Sequence, residues 1–533
     1  MPRFSPADLR TGRLHFLFDL AWGGQTYRLA ESMLTPTIDG TEYEYSDGLR
    51  FGGSWEDRID MFSATPSGRT ASVTLSLAEL VDVPQRIADG HPLGSATGTL
   101  SLWLSGTTTT HKLLVGSMRR VEYGSKDEPV RATVEEIPLR APGRIPGTNQ
   151  RLSEPNAVNW NLTMPDTEGQ YYPIIFGYPG GPAGFGSPWF WTNSSTRSIV
   201  CGHKCIAGTV VVVNASTDAT ESVTLVYEHD STTGVERSVG DAPTLWGTAP
   251  HDEVKEPHYV RWTDGNAGGV ASATNPTEPM RGAGEILAWM LERSGARVDF
   301  DRLRATQPKI DVYKLDAAVV PGKEARVSPM EWIQAHILPI LPLSSRMGTD
   351  GLYFFAWPFD ARKEDAVADL SADDHQVERV GQVEYSDADD VYQSIRFDYA
   401  HDYRAGTYQE TLLYTGDRQD LVSDTTAVLD RDLERAFIQR VTLGEQEPRA
   451  LELSSDVVLD DATAHLVCRY LARRHGRQTR LVRYEADPEF AWLDPGDVIT
   501  LTDEDLALTS VVAVVETAVW TEDEHIGLAL RIL

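Results

Sequence analysis

The segment Leu493-Asp494-Pro495-Gly496-Asp497, with the alternating run behind it, constrains this chain more than any other feature. Pro495 fixes its own φ, Gly496 permits a positive φ, and the aspartate side chains can accept from nearby backbone N–H groups. Together they make a tight turn. After the turn, Val498, Thr500 and Thr502 point one way and Ile499 and Leu501 the other, which is the period of a strand. Val511–Trp520 and Ile526–Ile532 read as two further strands, separated by the acidic turn Thr521-Glu522-Asp523-Glu524. The chain is expected to end inside a small β-barrel or sheet, without a tail.

The same period recurs at the other end. Leu14–Phe18, Thr26–Leu29, Ala71–Leu77, Gly98–Leu104 and Leu113–Gly116 read as strands, and Arg119–Tyr123 with Val130–Val134 as a hairpin. Strands at this spacing argue for a barrel or sandwich. Residues 141–172 are rich in Pro, Asn and Gly and read as a linker or long crossover. A second β module follows, through Tyr172–Gly177, a glycine-rich loop, Thr209–Asn214 and Val223–Tyr227. Helical spacing appears at Ile286, Leu287, Met290 and Leu291, with Gly295 as a stop. Ser328 is placed to cap a second helix carrying Trp332, Ile333 and Ile337, with Pro329 at its first position. Residues 460–474 read as a third helix, with Leu466, Val467, Tyr470 and Leu471 on one face.

The fold class expected is therefore α+β and β-rich. N- and C-terminal β-barrels would flank a β module and a helix-containing module. The divisions are 1–145, an N-terminal β-barrel; 146–280, an inserted β domain with a Gly-rich loop; 281–425, an α+β domain; and 426–533, a C-terminal helix plus β-barrel. A chain of 533 residues has room for several domains of ~100–200 residues each.

Charge bounds the partners. The chain carries 79 acidic and 48 basic residues, a net charge of −31. Phosphate contacts need clustered Lys and Arg, so a sequence-specific nucleic-acid partner is not expected. The acids are spread along the chain and serve solubility; an acidic inner wall past which DNA slides is a sharper use of the same charge. No apolar run approaches the ~20 residues of a membrane helix. Met1-Pro2-Arg3-Phe4-Ser5-Pro6-Ala7-Asp8 lacks the apolar core of a secretory signal, so the expected setting is a cytosol, with no membrane span.

Signatures of chemistry are few. The sequence contains no phosphate-cradling Gly-x-x-x-x-Gly-Lys-Ser/Thr, no His-Glu-x-x-His and no Gly-x-Ser-x-Gly. Three cysteines cannot staple a chain of this length. Cys201, His203 and Cys205 have the donor types of a zinc site. No second ligand pair follows at finger-like spacing, and small apolar fillers of one sheet are the plainer reading of these cysteines. His251, Asp252, Glu253, Glu256 and His258 lie on a Pro-containing loop with no fixed geometry, and Asp387, Asp389 and Asp390 lack the glycine and distal glutamate of a calcium loop. The run from Gly177 to Gly186 precedes Trp189-Phe190-Trp191. It reads as a surface loop that packs through aromatics, with stacking on sugar as the other use. No catalytic, cofactor-binding or metal residue is assigned, and no enzyme activity is expected.

Several blocks stand in a telling order. Leu102-Trp103-Leu104, Leu114-Val115-Gly116, Tyr123-Gly124 and Thr133-Val134-Glu135 come first, then Pro173-Ile174-Ile175-Phe176-Gly177 and Cys201-Gly202-His203. A helix, Ser294-Gly295, Val298-Asp299-Phe300, Leu338-Pro339-Ile340-Leu341-Pro342 and Asp350-Gly351-Leu352-Tyr353-Phe354 follow, and the Asp-Pro-Gly-Asp turn closes the series. This order resembles the tail-tip and baseplate hub proteins of tailed bacteriophages and their counterparts in gene transfer agents. The resemblance implies a structural virion protein, assembled in the host cytoplasm as a homotrimer around the tail axis. Its first and last domains would be similar β-barrels, six per trimer, matching the sixfold tail tube. The implied partners are the distal tail protein ring, the C-terminus of the tape-measure protein, and a tail fibre or central tip protein. The tape-measure protein and DNA would pass through its channel in host cell attachment and genome ejection. Against that family, the chain is expected to carry no long receptor-binding extension and no peptidase or lysozyme module. The alternative is a tail-associated carbohydrate-binding or glycan-degrading β-sandwich protein that uses Trp189 and Trp191.

Overall fold

A computed structural model describes residues 12–50, 55–58, 70–125, 128–136, 143–145, 171, 173–180, 187–188, 190–193, 198–202, 205–214, 218–230, 235–241, 258–262, 268–319, 326–348, 351–359, 361–373, 377–415, 428–442, 444, 449–487, 490, 492–520 and 526–533. It is strand-rich and multidomain, with a nearly closed barrel-like sheet and a half-barrel, as the alternating patterns require. The chain divides into two compact units. One is built from residues 1–139, 344–387 and 478–533, the other from 140–343 and 388–477.

The first unit is organised by one sheet of sixteen strands among the described residues. From the N-terminal segment come β1 (Leu14–Trp22), β2 (Gln25–Ala30), β3 (Ser46–Asp47), β4 (Leu49–Arg50), β5 (Trp55–Arg58), β6 (Thr70–Leu75), β7 (Thr97–Leu104), β8 (Thr110–Glu122) and β9 (Val130–Glu136). From the later segments come β10 (Ala368–Ser371), β11 (Val377–Arg379), β12 (Glu384–Tyr385), β13 (Arg480–Ala486), β14 (Val498–Asp503), β15 (Leu508–Trp520) and β16 (Ile526–Ile532). The three C-terminal strands thus fall where alternation placed them, with Leu508 extending the middle one. The segments Leu113–Gly116 and Arg119–Tyr123 are one strand, β8, interrupted by a register shift between Arg119 and Glu122, with Arg120 at a φ of 47°.

Two circuits of paired strands run through this sheet. In the first, β2–β1–β7–β8–β9–β6 follow one another by antiparallel pairing. The kinked segment β3–β4 then closes it, parallel to β2 and antiparallel to β6. In the second, β14–β15–β16–β13 are antiparallel neighbours. The short strands β10 and β11 pair likewise, β10 parallel to β14 and β11 antiparallel to β13. The two circuits therefore use the same device. Their inner side chains form one apolar cluster that includes Phe18, Leu100, Leu114 and Val134 of the first and Tyr484, Ile499, Leu501, Val515 and Leu530 of the second. Each large apolar side chain buried this way contributes ~1.5–3 kcal/mol. On the other face of β14, Val498 packs with Trp357 and Val514 and Thr500 donates to Asp369, so both faces of that strand are covered, one of them partly by polar contacts.

Among the described residues the second unit holds a seven-stranded antiparallel sheet, in the order Ser187–Pro188, His258–Arg261, Gly208–Asn214, Thr220–Asp230, Val235–Asp241, Ser198–Gly202 and Phe190–Asn193. Val210, Val212, Val223, Leu225, Val260 and Trp262 make its core with Ile175 and Cys205. Helix α1 (Ala283–Arg293) buries Ile286, Leu287, Met290 and Leu291, as its periodicity predicts. Asp299 caps α2 (Phe300–Ile310) by accepting from the Arg302 N–H at 3.1 Å. Ser328 caps Pro329–Trp332 as expected, and the helix continues as a π-turn over Ile333–Ile337. Helices α3 (Arg431–Thr442) and α4 (Asp461–His475) accompany a sheet ordered Val428–Leu429, Thr407–Thr415, Ser394–Asp402 and Ala450–Ser454. Asp460 caps α4 through the Thr463 N–H at 2.9 Å. In this unit Arg281 and Asp316 form a bidentate pair, at 2.9 Å and 2.8 Å. Burial raises the Asp316 carboxyl above its usual range, and the Arg281 guanidinium opposes that rise.

Gly48 sits at the kink that closes the first circuit. Its N–H donates to the Ala30 carbonyl at 3.1 Å, and its carbonyl accepts from the Ser76 N–H at 2.7 Å. A Cβ at this position would lie 2.7 Å from the Ser76 carbonyl oxygen and 2.8 Å from Leu29 Cδ2. Gly48→Val should therefore destabilise the protein by about 1–3 kcal/mol, the usual cost of overpacking. Thermal unfolding reads this directly, and an unchanged midpoint would remove the closing role of the kink.

Candidate functional site: the junction of two strand circuits

Strand β15 changes partners along one of its edges. From Leu508 to Val514 that edge pairs with β14. From Thr517 to Trp520 it pairs with β5 of the first circuit, Thr517 opposite Arg58 and Trp520 opposite Trp55. Its other edge pairs with β16 throughout Ala513–Trp520, with a register shift between Val515 and Thr517. An extra residue in one strand bends it and sharpens its twist, and Glu516 is that residue. β5 in turn meets β6 at Glu56 and Thr70. Thus the hand-over on β15 makes two circuits into one hydrogen-bonded sheet.

The Asp-Pro-Gly-Asp turn lies at this hand-over. Gly496, at a φ of 92°, donates its N–H to the Val515 carbonyl at 2.7 Å, and the Val515 N–H donates to the Asp497 carbonyl at 2.9 Å. The Asp494 N–H donates to Asp497 Oδ2 at 2.9 Å, the side-chain-to-backbone bond that the sequence predicts. Arg346, on the strand Leu343–Gly348 and 3% exposed, reaches the turn from outside it. Its Nη1 donates to the Pro495 carbonyl at 2.9 Å and its Nη2 to Asp494 Oδ1 at 3.0 Å. His111, buried on β8, brings Nε2 to 3.9 Å from the same Asp494 oxygen. Three chain segments far apart in sequence converge on one carboxylate.

Two more buried acids anchor the second circuit. Asp503 accepts from the Tyr484 hydroxyl at 2.7 Å and faces Arg379 at 3.6 Å. Burial, then the bond to Asp503, hold the Tyr484 phenol above its ordinary range. Glu516, the bulge residue, pairs with Arg531, which also donates to Thr479 Oγ1. Paired and hydrogen-bonded in this way, the charges fix geometry. The arrangement is suited to holding one register.

The sequence-derived metal candidates fall elsewhere. Cys201 lies on the strand Ser198–Gly202, while its side chain and His203 lie outside the described residues. Cys205 bridges to Val270 and is buried in the apolar core with Val210 and Trp262, the role of a small apolar filler. Among the described residues no group of three His, Cys, Asp or Glu is placed to hold a metal ion. Cys468 is buried on α4, and burial pushes its thiol up to about 12. Residues 181–186, Trp189 and 251–257 lie outside the described residues, as does the side chain of Trp191. Asp389 pairs with Arg449 at 2.9 Å, a solvated surface ion pair. Arg346 and His111 were not singled out in the sequence; an arginine among Leu343, Ser344, Ser345 and Met347 is the one local sign of the first.

Residues 356–517 match the model of a family described as "Putative phage tail protein". The matched segment runs from just before β10 into the hand-over on β15. No curated protein matches the chain. Among solved structures, the chain is similar to the tail protein from Neisseria meningitidis MC58, at 8% identity and a TM-score of 0.35, covering 97% of this chain and 96% of that one. It is similar to the 43 kDa tail protein of prophage MuSo2 from Shewanella oneidensis, at 8% identity and a TM-score of 0.36, covering 97% and 98%. A chain in the virion of a native gene transfer agent particle is similar at 13% identity and a TM-score of 0.37, covering 74% and 88%. At these TM-scores the structural likenesses carry no argument. The family match supports a structural protein of a bacteriophage tail.

Removing the Arg346 guanidinium takes from Asp494 its nearest cationic partner, and breaking an ion pair whose arginine is buried costs up to about 3–5 kcal/mol. Arg346→Ala should therefore unfold at markedly lower urea than the parent, and adding Asp494→Asn should recover part of the loss. If the single and double variants are equally unstable, the pair is not what matters. Native protein treated with iodoacetamide at pH 8 should leave Cys468 unmodified, whereas unfolded protein should react. Peptide mass analysis distinguishes the two.

Proposed function

We propose that this chain is the central hub of a phage tail tip or baseplate, joining the sixfold tail tube and distal tail ring to the tip or fibres. The observation that carries the reading is the family match over residues 356–517, which spans β10 through most of β15 and includes the Asp-Pro-Gly-Asp turn. The two strand circuits, each with two short strands of which one is parallel to its neighbour and the next antiparallel to another, support it physically. Two like circuits in each of three chains offer six near-equivalent faces, so a homotrimer can meet a sixfold ring without breaking symmetry. A buried ionic junction suits that task, because the spacing of the faces then stays constant under load.

In this reading function resides in contact area and not in a reacting group, and the chain is not an enzyme. Its partners are further copies of itself, the distal tail protein ring, the C-terminus of the tape-measure protein, and a fibre or central tip protein. The assembled trimer surrounds the channel through which the tape-measure protein and DNA leave. It resides in the virion after assembly in the host cytoplasm.

Mass photometry of the purified chain, alone and with its distal tail protein, should show a trimer that binds the ring. Electron cryomicroscopy of the particle should place it on the tail axis at the distal end. A monomer that remains single in the presence of the ring protein, or density for this chain away from the tail, would overturn the reading.

A further inference from the structure

The outward face of α3 carries a combination that neither the fold nor the hub reading uses. We propose that it docks a short acidic helix with an apolar edge, contributed by another protein.

The inward face holds α3 firmly. Leu433, Ala436 and Arg440 are buried, and Arg440 Nη1 donates to the carbonyls of Ala388 at 2.8 Å and Val391 at 3.1 Å. The opposite face presents Arg431, Glu434, Arg435, Ile438 and Val441, all exposed and three or four residues apart, so they share one side of the helix. Ile438 is 58% exposed and Val441 52%. Two aliphatic side chains one turn apart stand in water on a helix that is anchored from behind. Scattered exposed apolar residues need no explanation; here two of them adjoin on one helix face and are bordered by charge.

The charge comes from two helices. A Cβ at Gly476, just past the end of α4, would fall 2.8 Å from the Asp432 carbonyl oxygen. The C-terminal end of α4 therefore lies beside the first turn of α3. That end carries Arg473 and Arg477, with exposed Arg469 one turn earlier, next to Arg431 and Arg435. Among the described residues the acids nearby are Asp430, Glu434, Asp432, which pairs with Arg435 at 3.3 Å, Asp389, which pairs with Arg449 at 2.9 Å, and Asp390, whose carbonyl meets His475; Arg440 and Arg474 lie on the same two helices. Basic residues outnumber them, in a chain whose net charge is −31.

The occupant follows from the mixture. Carboxylates complement the arginines, preferably in bidentate geometry, and an apolar edge covers Ile438 and Val441, as in helix-in-groove recognition. Duplex DNA fits less well, because aliphatic side chains offer nothing to phosphate and the whole chain repels it. A second copy carries the same excess negative charge, whereas a peptide-sized segment meets the patch alone.

The test uses the full chain and a fluorescent designed peptide of about 18 residues, long enough to form a helix when bound, with Glu and Leu sharing one face. Anisotropy should show saturable binding, weakened about tenfold or more by Arg431→Glu with Arg435→Glu, and separately by Ile438→Asp. Hydrogen exchange should slow over residues 431–442 on binding. These side chains point outward, so circular dichroism of the variants should match the parent. Three results would overturn the proposal: no saturable binding at millimolar peptide, displacement of the peptide by duplex DNA, or a self-assembled species that Ile438→Asp dissociates. The first two and the variant comparison do not depend on the hub reading, which can fail while this surface stands.

Discussion

One β-strand edge shared between two partners organises the first unit. Up to Val514 that edge of β15 belongs to β14, and from Thr517 it belongs to β5. A continuous edge cannot serve two strands at once, so one must stop where the other begins. Pro495 and Gly496 turn the chain away from β14 at that point, and the backbone bonds between Val515 and the turn complete the ladder before the switch. Glu516 then absorbs the extra residue, with its charge matched by Arg531. Without the turn, β14 would continue into the space that β5 occupies.

Electrostatics make that geometry singular. A buried salt bridge adds little net stability over an apolar pair of similar shape, yet breaking one is costly. The contacts of Asp494 with Arg346 and His111 thus act mainly against alternative registers, which would strand a charge in an apolar surrounding. A one-residue slip in β14 would also exchange its two faces. Such a slip would bring Thr500 and Thr502 to the face that Ile499 and Leu501 now fill, so the apolar pattern itself opposes it. The ionic cluster adds a second penalty against the same slip.

Local patterns revealed much of this architecture. Strict alternation located β14, β15 and β16, and helical spacing located α1 and α4, because one buried face writes its period into the sequence. Helix α3 left no such trace: Arg431, Asp432, Glu434, Arg435, Gln439 and Arg440 dominate it, and one of its inward residues is an arginine. β5 is equally silent, since Trp-Glu-Asp-Arg does not alternate and its partner lies near the other end of the chain. For the same reason the Asp-Pro-Gly-Asp turn was readable as a turn but not as the meeting place of Arg346 and His111. Pairing between distant segments is a tertiary property, and no window of a dozen residues contains it. The Cys201, His203 and Cys205 grouping shows the converse, since suitable donor types close in sequence say nothing about where Cys205 points, which is into an apolar core.

The hand-over on β15 also has a bearing on the order of synthesis. Strands β1 to β9 leave the ribosome early and can complete their own circuit through Gly48. Until β15 arrives, β5 lacks the partner that Thr517–Trp520 provide, and among the described residues its remaining pairing is that of Glu56 with Thr70 of β6. An unpaired strand border is a template for association with other nascent chains. Translation of more than four hundred intervening residues separates the exposure of that border from the arrival of its partner. Chaperone dependence and inclusion-body formation should accordingly track how fast the ribosome delivers Thr517–Trp520.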